Sequence, residues 1–353
     1  MRSRGLFVFA VVMGALPAAG CDTGLTQPPR RAELITPKPN LTSPGSYASK
    51  QVVLVLPAEE TSDVVIWDTI ARQESGLLSI GFSSVKPFES TPPPGAQANL
   101  IREAAKRGSA LIVITDRSPE TTAALAELDP KKTPVILLGR ALPDSPEAKK
   151  VQATFVTSPP WSDGAKKMIA AALEDCRKRA EKSKLAPEAV LIRSSVKDES
   201  SDERAQALLD AAKAQGVKVV AEETFDGTAD GIARLMERVK KDHSKLAILL
   251  CAEEVALSGV TVVRRDDMPK SKDEADEKGS LLMVGYVTTR SNLNLARLGQ
   301  ASALIDRNIH GMARKAVATA SSRLDGQTVP NRIVVDTPLV RSTQNPSETL
   351  PIH

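Results

Sequence analysis

The residue types that do most protein chemistry are scarce in this 353-residue chain: three histidines, His243, His310 and His353, and three cysteines, Cys21, Cys176 and Cys251. No histidine stands near another or near a cysteine, so the spacing of a metal site is not formed. No glycine-rich phosphate loop follows a strand-like run, and no Gly-x-Ser-x-Gly elbow is present. The sequence therefore predicts neither an enzyme nor a cofactor. His243 follows a helical pattern and is expected at its C-terminal end, a structural position. With only Cys176 and Cys251 besides Cys21, no disulfide framework holds the fold; one bridge or two buried thiols remain open.

Cys21 is the cysteine in a reactive context. Arg2 and Arg4 form a basic start, residues 6–16 form an apolar run, and Ala18-Ala19-Gly20 precede the cysteine. The apolar run is too short to span a bilayer, which takes roughly 20 such residues. The small residues give a peptidase access to the backbone, and the thiol that follows can be linked to diacylglycerol. This resembles the bacterial lipobox, so residues 1–20 are expected to be a lipoprotein signal peptide and Cys21 the lipid anchor. Each buried acyl methylene adds about 0.8 kcal/mol to such an anchor. The signal and anchor imply a protein held on the extracytoplasmic face of a bacterial membrane, and Asp22, which resembles an inner-membrane retention signal, implies the inner membrane. Residues 21–49, with Pro28, Pro29, Pro37, Pro39 and Pro44, read as a disordered tether.

The elements that would position any site begin near Lys50. About 300 residues remain, enough for two lobes with separate cores. The net charge of the chain is +4, and loss of Arg2 and Arg4 from its 47 basic residues leaves 45 against 43 acidic ones. That balance does not call for nucleic acid. Short runs rich in Val, Ile and Leu, at 51–57, 77–82, 110–115 and 134–139, alternate with helical patterns at 61–74, 95–107 and onward from 119. Continuous rather than alternating apolar strands indicate a parallel sheet covered on both faces. A second such series follows, with strands at 189–192, 217–221, 246–251, 281–286, 301–305 and 333–335. Its helices are expected from 162 or 163, at 200–214, 230–241 and 308–324. The fold class predicted is α/β, two Rossmann-like lobes in tandem. The mixed charge run at 264–279 reads as a solvated loop.

The order of several motifs resembles the type I periplasmic binding proteins, in the ribose-binding and lactose-repressor-like branch, from residue 51 to about 342. The matching segments are Val52-Val53-Leu54-Val55-Leu56-Pro57, Thr133-Pro134-Val135-Ile136-Leu137-Leu138-Gly139-Arg140 and Ser201-Asp202-Glu203-Arg204. They continue with the stretch Ala247 to Leu257, Val284-Gly285-Tyr286, and Val329-Pro330 through Leu339. The resemblance implies two lobes joined by a three-strand hinge. One lobe would hold 50–156 plus 307–326 and the other 157–306 plus 327–345, with a tail at 346–353. Ligand would lie between the carboxyl ends of the two sheets.

By the same resemblance, Arg140 and Arg204 fall where the family places ligand-binding arginines, which can donate forked hydrogen bonds. Trp67 matches an aromatic that stacks on a sugar, with core packing as its alternative, and Trp161 is expected to pack at the hinge. The departures matter equally. Gly139 replaces an aspartate, Ala252-Glu253 an Asn-Asp pair, Val287 an aspartate, and Ser158-Pro159-Pro160 the crossover's polar residues. A buried sugar hydroxyl left unpaired costs about 1–3 kcal/mol, so the ring of acceptors is depleted. Glu253 is expected to supply one carboxylate, and Asp306 or Arg307 to replace a glutamine near the third crossover. Two arginines and fewer acids point to an anionic solute as well as a sugar. Two functions stay open: a receptor delivering solute to an ABC permease, and a degenerate binding fold that acts as a sensor or interaction protein with a membrane partner. A repressor of this fold would need a DNA-reading helix-turn-helix where the secretion signal stands.

Overall fold

The computed structural model describes residues 50–341 apart from 59–61, 90, 108, 180–186, 196–199, 244–245 and 264–280. The signal segment, Cys21, the tether, the charge run and the tail lie outside the described residues.

Val52 to Val55 are all almost completely buried, which fits an apolar strand sandwiched between helix layers. This first strand, β1 (Gln51–Val55), leads into α1 (Ser62–Leu77), β2 (Gly81–Val85), α2 (Ala96–Ala105), β3 (Ala110–Val113), α3 (Pro119–Ala126), β4 (Val135–Leu138) and β5 (Thr154–Thr157). The second series is α4 (Trp161–Arg179), β6 (Glu188–Ser194), α5 (Ser201–Ala214), β7 (Lys218–Phe225), α6 (Ala229–Asp242), β8 (Leu246–Cys251), α7 (Glu254–Val263), β9 (Leu282–Val287), α8 (Arg290–Arg297) and β10 (Ala303–Asp306). The chain closes with α9 (Ile309–Leu324), β11 (Arg332–Val334) and β12 (Leu339–Arg341).

The strands form two six-stranded sheets, ordered β11-β5-β4-β3-β1-β2 and β12-β10-β9-β8-β6-β7. All pairings are parallel except β10 with β12. Successive side chains of a strand enter opposite layers. Val52 and Leu54 pack with α1 and α9 through Ile70, Ala71, Ile309, Ala313 and Val317. Val53 and Val55 pack with α2 and α3 through Ala98, Ile101 and Leu125. In the second lobe α4 and α5 cover one face and α6, α7 and α8 the other.

Three expectations change. The run 77–82 does not start a strand: α1 continues to Leu77, Ser79 turns with φ 55°, and β2 begins at Gly81. The segment 327–345 does not belong wholly to the second lobe. β11 joins the first sheet through β5, and only β12 joins the second. An edge strand needs a partner on one side only, so a short apolar run cannot announce which sheet it will complete. Arg307, placed with the first lobe, donates its backbone N–H to the Val287 carbonyl of the second sheet, and the handover starts at Asn308. No disulfide joins Cys176 and Cys251.

The helix α6 shows how local chemistry sets an element. Ile232, Leu235, Met236 and Val239 share its buried face, each contributing about 1.5–3 kcal/mol relative to exposure. Thr228 starts the helix by accepting the Gly231 N–H at 3.0 Å while its hydroxyl donates to Asp226 at 2.6 Å. Replacing Thr228 by Ala is expected to lower stability by about 1 kcal/mol, with Thr228→Ser retaining most of it, as read from urea unfolding midpoints.

Candidate ligand-binding site

Parallel strands all end on the same edge, so the loops after them gather the chain's polar residues there. On the first sheet, Arg140 follows β4 and donates to the Thr115 carbonyl beyond β3 at 3.2 Å. Beside it the Arg117 Nε donates to the Ala141 carbonyl at 3.1 Å, and Asp116 accepts from the backbone and hydroxyl of Ser118, which caps α3. Gln97, buried on α2, ties this loop down by donating to Ile114 O and accepting from Asp116 N. Gly139 has φ 76°, and a Cβ there would lie 2.7 Å from the Trp67 ring. The aspartate expected at this position by family resemblance is therefore excluded by both backbone and indole.

Trp67 itself is 4% exposed within the first lobe's core, and its Nε1 is buried with no hydrogen-bond partner among the described residues. The stacking role expected of it is not what the structure presents. It is the packing alternative that is seen, because the helix face carrying Trp67 also carries Ile70 and Ala71 inward.

The second lobe's edge is built around Trp161, the first residue of α4. Its ring lies edge-on to Tyr286 at 5.2 Å, and its carbonyl accepts the Tyr286 hydroxyl at 2.6 Å. Gly164 allows this approach, since a Cβ there would be 3.2 Å from both Tyr286 and Ile305. Two guanidinium groups lie over the indole, Arg204 at 5.5 Å and Arg307 at 5.7 Å. Desolvated contacts of this type are worth about 2 kcal/mol. Arg204, in the first turn of α5, is 2% exposed; its Nε donates to the Ala252 carbonyl at 2.8 Å.

Glu253 follows β8 and is 5% exposed, with one carboxylate oxygen accepting the Ser194 N–H at 3.0 Å. Burial pushes its carboxyl above the ordinary carboxylate value, opposed by the Ser194 N–H and by the charge of Arg204. Glu253 and Arg204 are both buried at this edge, close enough for the charge of Arg204 to act on the Glu253 carboxyl. The neighbouring Glu254 instead accepts from the backbone of Thr288 and Thr289 and from Asn292, fastening the start of α8.

Asp306 and Arg307 divide sharply. Asp306 accepts the Asn308 N–H at 2.8 Å, closing the turn into α9, and burial raises its pKa. Arg307 reaches from the end of the second sheet to the first lobe. Its guanidinium donates to both carboxylate oxygens of Asp63, one at 3.0 Å, and to Thr288 at 3.4 Å. Asp63 was not legible as a site residue, because an acid in a first helical turn is ordinary dipole compensation. Arg193, paired with Asp202 at the end of β6, was hidden similarly within an apolar strand. Among the described residues no cluster of His, Cys, Asp and Glu can hold a metal.

Two parallel α/β lobes with charged side chains at their facing carboxyl edges define a clamshell binding protein. A family model confirms the class: the periplasmic binding protein domain matches residues 80–328, and the chain belongs to that family. Type I periplasmic binding proteins share this architecture, and the family implies an extracytoplasmic location. A solute-binding protein of an ABC transporter from Actinobacillus succinogenes, with bound D-allose, is 15% identical, with TM-score 0.62 over 83% of this chain and 98% of its own. A carbohydrate-transporter binding protein from Agrobacterium radiobacter, in complex with D-arabinose, is 16% identical, with TM-score 0.60 over 83% and 95%. A periplasmic ribose ABC transporter protein from Conexibacter woesei is 16% identical, with TM-score 0.60 over 85% and 94%. The first two are named as solute-binding proteins of transporters. No curated protein matches the chain in sequence. No helix among the described residues is long and apolar enough to cross a membrane.

Two outcomes follow from this geometry. Gly139→Ala should cost about 2–4 kcal/mol, from a left-handed backbone and a clash with Trp67, read as a lowered Tm. For Glu253 the folded pKa lies above the unfolded one, so its contribution is fully present below the unfolded pKa and is lost as pH rises through the folded pKa. Glu253→Gln should therefore gain stability relative to the native chain as pH rises from about 4 towards neutrality. Urea titrations of both proteins across that range check the sign.

Proposed function

We propose that the protein is a lipid-anchored extracytoplasmic receptor that takes a small sugar-like or anionic solute between its lobes and presents it to an ABC permease. The observation that carries this reading is the cluster on the second sheet's edge: two guanidinium groups lie over one tryptophan face, with a buried carboxylate within reach of the Arg204 charge. A tryptophan face and forked donors suit a sugar ring bearing hydroxyls or a carboxylate. The D-allose and D-arabinose named for the structural neighbours support a monosaccharide-sized guest. The basic start, the apolar run and Cys21 support the anchor and the signal. We assign the lobes as 50–157 with 308–334, and 158–307 with the closing strand.

A second reading is favoured by two observations. Arg307 is engaged by Asp63, and Trp67 is committed to the core, so two of the expected ligand contacts are already used by the protein. A sensor or interaction protein that has let its pocket degenerate would look like this. A thermal-shift screen of neutral sugars against sugar acids separates the two. A true solute at 100 times its Kd stabilises the fold by about 2.7 kcal/mol, and Arg204→Gln should abolish that shift. A flat response across sugars, sugar acids and small carboxylates would favour the interaction reading.

A further inference from the structure

Among the described residues the Asp63–Arg307 pair differs from the other ion pairs in where its partners belong. Asp63 sits in the first turn of α1, which packs on the first sheet and α9. Arg307 is anchored by its backbone to Val287 in the second sheet and by its side chain to Thr288 and the Trp161 ring. Other pairs among the described residues stay within one lobe, among them Arg102 with Glu127, Arg193 with Asp202, Lys218 with Glu188, Arg238 with Glu223, and Arg341 with Glu174 and Asp175. The Asp63 and Arg307 side chains are only 17% and 13% exposed, so solvent screens the pair less than a surface bridge. Both carboxylate oxygens are engaged by the guanidinium fork, the geometry with the sharpest orientation dependence.

We propose that Asp63 and Arg307 form an internal latch: a carboxylate of the first lobe engages the guanidinium of Arg307 on the second and holds the lobes together without a guest. An open/closed equilibrium shifts only through contacts that differ between its two states, and this pair links groups that lobe opening would separate. A solute that needs Arg307 must then compete with Asp63, whereas one that leaves Arg307 alone enters a cleft already biased to closure. The inference rests on the two-lobe architecture and not on the identity or existence of a solute.

The test measures the distance between the lobes in the full-length chain without ligand. Spin labels at Lys131→Cys, on the exposed loop before β4, and Glu237→Cys, on the exposed face of α6, report it by double electron–electron resonance in a Cys21→Ser, Cys176→Ser background. Asp63→Asn, nearly isosteric, is expected to move the distance distribution to longer values and broaden it. Arg307→Lys, which keeps the charge but loses the fork, should move it less, and the exchanged pair Asp63→Arg with Arg307→Asp should move it back towards the native distribution. Asp68→Asn, which breaks an exposed pair with Arg72 on the same helix, should leave it unchanged. Identical distributions for the native protein and Asp63→Asn would overturn the latch, as would an equal change in Asp68→Asn. No solute is added, so a failed ligand screen leaves this test intact.

Discussion

Arg307 stands where the chain leaves the second sheet for the first lobe, and its side chain is surrounded by groups from both. A guanidinium cannot lose its charge under ordinary conditions, so burying it demands acceptors on the surrounding walls. Asp63 supplies a forked carboxylate, Thr288 an oxygen and Trp161 a π face. Each comes from a different element, and that requirement ties the starts of α1 and α4 and the end of β9 to one point. The same demand is met at Arg204, where the Ala252 carbonyl, Trp161 and nearby Glu253 surround a side chain that is 2% exposed. The cleft edge is organised by the solvation of two arginines.

The remaining architecture makes this possible by keeping the rest of the interior apolar. Parallel strands buried on both faces have no polar side to spend, so charged side chains collect at strand ends and helix starts. There the backbone helps: Ser194 N–H supports Glu253, Asn308 N–H supports Asp306, and the N–H groups of Thr288 and Thr289 support Glu254. Cys251, one strand residue deeper, shows the contrast, its thiol pushed up to about 12 by burial. Membership in the periplasmic binding protein family thus coexists with a cleft whose polar groups are heavily used by the protein itself.

Much of this was legible in the order of residues alone. The apolar runs at 51–57, 110–115, 134–139 and 246–251 contain buried strands, and the spacing of Ile232, Leu235, Met236 and Val239 marked the inner face of α6. Arg140 and Arg204 were picked out by motif resemblance. What escaped were positions whose local sequence is commonplace. Asp63 reads as helix-dipole compensation, Arg193 lies hidden in an apolar strand, and the segment that forms β5 carried no strand signal, while Trp67 reads equally as platform or core. Leu77 is apolar enough for a strand, but the turn at Ser79 decides where the helix stops.

The sequence by itself determined the alternation of strand and helix, the two apolar cores and the segregation of charge to the loops, because hydrophobic periodicity is a property of near neighbours along the chain. The proposed export signal is likewise a local chemical pattern. Only the tertiary structure decided that β11 completes the first sheet and β12 the second, that Trp67 fills the space over Gly139, and that Asp63 meets Arg307 across 244 residues. Those outcomes depend on distance and direction between remote groups. An ion pair or an indole over a glycine exists only once the whole backbone has brought its two halves within a few ångström.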